Sequence, residues 1–225
     1  MPVLKNKSYL FVATALSAHL LATPAACADP FELSASAGVA SIYLWRGLDL
    51  GDGSPAVFGD LTASVSGFYA TAWASSGDDT LGQEYNLIGG WGGEVGGLGI
   101  DLSLLSYMYP DETLNNSATN FGDLTEAILT LSYGPVSFTY IDNIAGDSGY
   151  AYYTLGAAIS RFSVAAGHHD FQDKGADMTH LDITYAYNDR LSFTISQVID
   201  EEDEQIKDYD DELNFVVSYQ LPLEL

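Results

Sequence analysis

Leu181-Asp182-Ile183-Thr184-Tyr185-Ala186-Tyr187, then Asn188-Asp189-Arg190, then Leu191-Ser192-Phe193-Thr194-Ile195-Ser196 is the stretch that decides the fold. Every second residue on either side of the Asn-Asp-Arg break is large and apolar. The residues between are small or polar. Period-two alternation is the mark of a strand with one apolar and one polar face. Two such strands across a short polar turn form an antiparallel hairpin.

The same unit recurs along the chain. Alternating runs are predicted at Ser34 to Trp45, Ala56 to Ser66, Phe68 to Ser75, Glu84 to Trp91, Leu98 to Tyr109 and Asp123 to Tyr133. Further runs are Val136 to Ile141, Tyr150 to Ser160, Phe162 to His168, the two arms of the opening hairpin, and Glu212 to Leu223. Twelve strands result. Their connections alternate between short turns and long, acidic loops, as in an up-and-down barrel with short turns at one end. The expected fold is all-β: an antiparallel, up-and-down transmembrane β-barrel of about 12 strands, outer-membrane type.

A soluble sandwich also alternates, with its apolar face inside. Three features favour the membrane barrel. Polar-face residues are mostly Ser, Thr, Ala and Gly, which suit a crowded lumen. Tyr43, Trp45, Trp91, Tyr107, Tyr109, Tyr133, Tyr187 and Tyr219 collect at strand ends, as in interfacial girdles. Charges fall mostly in loops, and closure removes the sheet edges that lipid cannot tolerate.

Seven Lys and Arg stand against 31 Asp and Glu, giving a formal charge of −24. That excludes nucleic acid as a partner, because phosphate contacts need bases. It suits divalent cations or cationic solutes. Residues 1–28 read as a cleaved signal peptide: Lys5 and Lys7, an apolar run from Tyr9 to Leu21, then Ala26-Cys27-Ala28. Residues 29–225 form one barrel domain on this reading. Cys27 is the only cysteine. Pro24 at position −3 argues against its lipidation, so the exported chain lacks disulfides.

The segment Val39 to Glu112 carries Tyr43-Leu44-Trp45-Arg46-Gly47, Gly67-Phe68-Tyr69-Ala70 running to Trp73-Ala74-Ser75, Glu84-Tyr85-Asn86-Leu87 with Gly89-Gly90-Trp91, and Tyr107-Met108-Tyr109-Pro110. In these motifs the chain resembles the TorF family of proteobacterial porins, also called Gcw_chp. The resemblance implies an outer-membrane β-barrel with porin activity for an unknown solute. The chain departs from the pattern at its end, Pro222-Leu223-Glu224-Leu225, which lacks a terminal aromatic.

The expected function is passive diffusion of small solutes or ions, with a preference for cations or neutral solutes. The alternative is a non-conducting structural or adhesive barrel whose acidic loops bind divalent cations or a partner. Arg46 is the candidate lumen base, to be paired with inward carboxylates such as Glu84, Asp101, Glu126 or Asp182. Such a set shapes selectivity, or else locks the hairpins together. No cofactor is expected beyond loosely bound Ca²⁺ or Mg²⁺ at an acidic loop, where Glu201, Asp203, Asp208 and Asp210 are weak ligand candidates. The expected partners are outer-membrane lipid and lipopolysaccharide. Adjacent His168 and His169 point to opposite faces of a strand, and no Gly-x-Ser-x-Gly or His-Glu-x-x-His pattern is present, so no catalysis is expected.

Overall fold

The computed structural model describes residues 31–110, 119–146, 149–171, 177–201 and 213–225. Residues 1–28, expected to be a signal peptide, and residues 202–212 of the acidic stretch lie outside the described residues. Glu201 is the last residue of a strand, but its side chain is outside them too, as are Asp203, Asp208 and Asp210.

Twelve strands form the wall. They are β1 (Glu32–Ala40), β4 (Ala56–Val65), β5 (Phe68–Asp78), β6 (Gly82–Val95), β7 (Leu98–Tyr109) and β8 (Thr119–Tyr133) in the first half. The second half holds β9 (Val136–Ala145), β10 (Ala151–Ile159), β11 (Phe162–Asp170), β12 (Met178–Ala186), β13 (Leu191–Glu201) and β14 (Asn214–Leu223). Two short strands, β2 (Leu44–Trp45) and β3 (Leu48–Asp49), form a separate ribbon. Each wall strand pairs antiparallel with its sequence neighbours. The sheet closes where β1 takes β14 on one edge and β4 on the other, with Val39 opposite Tyr219 and Val57.

The hairpin that opened the reading is β12–β13, with Ile183 opposite Ile195 and Tyr185 opposite Phe193. Asn188 Oδ1 holds its turn by accepting the N–H groups of Arg190 (2.8 Å) and Leu191 (2.9 Å). This is the local bonding that makes Asn a turn residue. At the same end of the barrel, Ser66 and Gly67 both take positive φ (51° and 82°). That is the two-residue turn whose twist matches paired strands.

The two faces differ as the alternation requires. Phe68, Leu102, Leu104, Leu155, Ile183 and Phe215 stand exposed on the outside. Thr62, Ser75, Thr130, Thr184, Thr194, Ser192 and Ser218 are buried on the inside. Three cross-strand threonine pairs knit the inner wall: Thr62–Thr71 (2.8 Å), Thr130–Thr139 (3.0 Å) and Thr184–Thr194 (2.8 Å). Such pairs satisfy their own hydroxyls and add cross-strand stability.

Three expectations need correction. The first strand stops at Ala40, not Trp45. Ser41 bonds across to Val217, by its N–H to the carbonyl and by its Oγ from the Val217 N–H (both 2.9 Å), and the chain then turns inward. The link after Asp78 is not a long loop: Asp79 to Leu81 suffice, because Asp78 Oδ1 accepts the N–H groups of Thr80 (2.8 Å) and Leu81 (2.6 Å). Of the eight aromatic residues expected in a girdle, four face outward. Trp91, Tyr133, Tyr187 and Tyr219 do face outward, but Tyr43, Tyr107 and Tyr109 are buried inside the barrel and Trp45 packs with them.

Candidate functional site

Residues 41 to 55 connect β1 to β4 by passing through the mouth of the barrel at its long-loop end. The ribbon β2–β3 is their centre, with Leu44 opposite Asp49 and Trp45 opposite Leu48. Its two-residue turn is Arg46-Gly47, with φ of 48° and 88°. Asp49 closes the far side, its carboxylate accepting the N–H groups of Gly51 (2.9 Å) and Gly53 (2.7 Å). A glycine at position 47 answers two needs: positive φ, and close approach to the wall. A Cβ there would collide with the His180 ring.

This segment fills the mouth. Leu44 packs with Ala40 and Val216, and Tyr43 packs with Ala56, Leu50 and Trp73. Tyr43 donates its hydroxyl to Glu84, which also accepts Asn86 Nδ2 at 2.6 Å.

Arg46 is the latch. Its NH1 and NH2 bond Glu126 in a two-pronged pair at 2.9 and 2.6 Å, with side-chain exposures of 7% and 3%. NH1 also donates to the Tyr150 hydroxyl at 2.9 Å. The guanidinium carbon lies 4.5 Å from the Trp45 ring centroid, 4.9 Å from Tyr152 and 5.8 Å from Tyr150. A planar guanidinium suits both the carboxylate fork and the ring faces. The backbone of Arg46 is held as well: its carbonyl accepts His169 Nε2 at 2.8 Å.

The wall side of the latch is itself braced. Tyr107 donates to Glu126 Oε2 (3.0 Å), Tyr150 bonds His169 Nδ1 (3.0 Å), and Tyr152 bonds His180 Nε2 (2.8 Å). His180 Nδ1 in turn meets Asp182 at 3.1 Å. Gly167 makes room for the Tyr152–His180 pair, because a Cβ there would strike both His180 Nε2 and the Tyr152 hydroxyl.

Of the four carboxylates considered for Arg46, the fold brings it to Glu126 alone. Glu84 serves Tyr43 nearer the rim. Asp182 serves His180. Asp101 accepts Tyr69 at 3.0 Å and lies four residues from Leu105, the residue opposite Glu126. At strand rise that is about 14 Å toward the short turns. A further inward carboxylate, Asp60, was not anticipated; it accepts the Ser36 hydroxyl, and Ser36 accepts Gln220 Nε2 at 2.6 Å. His169 points into the lumen, whereas His168 points out to Thr179 (3.0 Å). Among the described residues no three His, Cys, Asp or Glu side chains gather as a metal-ligand set.

Sequence reading missed Tyr107, Tyr150, Tyr152, His169 and His180 as parts of the site. For Tyr107 and Tyr109 the signal was present. They share the parity of Asp101 and Ser103, not that of Leu102 and Leu104.

Comparison with known proteins adds the following. No curated protein matches the chain. A solved structure, Pseudomonas aeruginosa OccK5 (OpdH), aligns with 11% identity and a TM-score of 0.38 over 76% of this chain and 59% of that one. The chain thus spans about three-fifths of that structure's length. The family described as "Bacterial protein of unknown function (Gcw_chp)" matches residues 24–203, most of the length, and the chain belongs to that family.

Proposed function

We propose that this chain is an outer-membrane barrel for passive diffusion of small cations or neutral solutes, closed at rest by the 41–55 segment. The wall's outer face supports the membrane setting. A closed sheet whose outer face exposes Leu, Val, Phe and Ile side chains such as Leu61, Leu104, Leu155, Val164 and Phe215 is costly in water and favourable in hydrocarbon. The expected partners are therefore outer-membrane lipid and lipopolysaccharide. The TorF resemblance agrees with a porin role.

The observation that carries the sign of selectivity is the charge of the lining. Inward carboxylates include Asp60, Glu84, Asp101, Glu126 and Asp182. Among the described residues Arg46 is the inward arginine, and Glu126 already neutralises it. A low-dielectric wall focuses the remaining negative field into the lumen and raises the local cation concentration. Ca²⁺ or Mg²⁺ held loosely by Glu201, Asp203, Asp208 and Asp210 would add positive charge and so weaken that field.

The test is a planar bilayer under a KCl gradient. Discrete current steps with a reversal potential of cation-selective sign support the reading. Steps of anion-selective sign refute it. The plug itself favours a second reading, a structural or adhesive barrel without a pore. A bilayer that stays silent with both the native chain and Glu126→Ala establishes that reading instead.

A further inference from the structure

The latch has an unusual division of labour. Arg46 and Trp45 ride on the plug, but Tyr107, Glu126, Tyr150 and Tyr152 belong to the wall side. We propose that these four wall groups form a recognition site for guanidinium or alkylammonium solutes, in which Arg46 is a built-in occupant that the solute displaces. This rests on the cation-channel reading above and names the solute class for it.

Three observations carry it. First, the site survives without its occupant. The bonds from Tyr107 to Glu126, Tyr150 to His169, Tyr152 to His180 and His180 to Asp182 do not involve the Arg46 guanidinium. Glu126, Tyr150 and Tyr152 therefore stay aimed at the same point when Arg46 leaves, and preorganisation of this kind lowers the cost of binding.

Second, the chemistry is selective. A carboxylate fork at 2.6 and 2.9 Å, a hydroxyl acceptor at 2.9 Å and two ring faces at 4.9 and 5.8 Å fit a planar or compact cation. A neutral solute of the same shape leaves Glu126 buried and uncompensated.

Third, the occupant is carried on a ribbon separate from the wall's own ladders. The β2–β3 ribbon shares no strand ladder with the wall. Among the described residues, the backbone-to-backbone bonds from its segment to the wall and its links lie at the edges, Ser41 N–H to Val217 O (2.9 Å) and Asp79 N–H to Leu50 O (2.8 Å), and at the centre the Arg46 carbonyl takes one side-chain bond, from His169 Nε2 (2.8 Å). Arg46 itself sits at φ 48°, which is strained for a residue with a Cβ. A tethered occupant competes at an effective concentration on the order of millimolar. A free solute of similar affinity exchanges with it in that range, as suits passive uptake.

The experiment uses the folded full-length mature barrel in detergent micelles, with agmatine as the probe and N-butylurea as its uncharged counterpart. In Arg46→Ala, agmatine at about 100 mM is expected to raise the thermal midpoint by at least ~3 °C, and N-butylurea to leave it unchanged. In the otherwise native chain carrying Leu44→Cys, agmatine is expected to speed maleimide labelling about tenfold and to saturate, because displacement exposes a buried plug residue. Equal effects from both probes, or none on native-background labelling, overturn the proposal. If Arg46→Ala does not fold, Arg46→Lys takes its place, since it keeps the charge but loses the fork. Neither readout needs a pore. A chain that conducts cations yet ignores agmatine sinks this inference alone, and one that binds agmatine yet carries no current sinks the channel reading.

Discussion

Removing Glu126 should open the mouth without unfolding the wall. In Glu126→Ala, Arg46 keeps one good partner, the Tyr150 hydroxyl at 2.9 Å, plus a weak one in Tyr107 at 3.4 Å. Its guanidinium cannot shed its charge. Leaving such a group buried and unpaired costs about 3–5 kcal/mol. The barrel has a way out that a soluble core lacks: the plug can swing into water and take the charge with it. The wall is held by twelve ladders that do not include β2–β3, so it stays folded. At about 1.4 kcal/mol per factor of ten, the open fraction rises by roughly 10²-fold to several thousandfold, or to saturation if the seated plug is worth less. The assay is maleimide labelling of Leu44→Cys, a position 1% exposed when the plug is seated, compared with and without Glu126→Ala in a background lacking Cys27. Heat-modifiable migration on a gel reports the intact barrel in parallel. A labelling rate unchanged by Glu126→Ala, with the barrel intact, refutes the latch.

Gly47→Ala should unseat the plug as well, because φ of 88° is strained for alanine and the new Cβ strikes His180, whereas Gly53→Ala at φ 76° meets no neighbour within 4 Å. Leu44→Cys labelling should therefore rise sharply in the first and only modestly in the second, whose cost is about 1 kcal/mol of backbone strain. Tyr43→Phe removes a hydrogen bond to the Glu84 carboxylate and should weaken plug seating by about 1.5–3 kcal/mol, read by the same labelling. Leu104→Lys puts a charge on the outward face near the middle of β7 and should lower refolding stability in vesicles by about 2–4 kcal/mol in urea titrations.

The wall was legible because one face of nearly every strand is uniform. From Leu213 into β14, Phe215, Val217, Tyr219 and Leu221 keep one parity with it, and Asn214, Ser218 and Gln220, with the buried Val216 among them, keep the other, so any register error would place a whole row wrongly. The plug was not legible for the same reason. Tyr43-Leu44-Trp45 extends the apolar character of β1, and local pattern cannot tell a strand that continues along the wall from one that leaves it. The clue was chemical: Arg46-Gly47 directly follows the supposed strand, and as a two-residue turn with two positive φ values it folds Leu44-Trp45 back on Leu48-Asp49, away from the wall. The aromatic girdle failed on composition. Tyrosines at strand ends serve a lipid interface and a lumen cluster equally well, and only parity separates Tyr107 from Tyr133. The partner of Arg46 was left open among four carboxylates because it depends on how far the plug descends, which is a tertiary distance.

Which face of the wall meets lipid is read most directly from tryptophan. The chain has three: Trp91 on the outer face opposite Phe68 and Leu102, Trp73 on the inner face opposite Asp60 and Asn86, and Trp45 on the plug. Single-tryptophan variants, with Phe replacing the other two, are reconstituted in vesicles of brominated phospholipid. Strong quenching of Trp91 with Trp45 and Trp73 little affected is the expected result. Quenching of Trp73 with Trp91 spared would contradict it, and would put the Ser and Thr face, not the Leu and Phe face, against hydrocarbon.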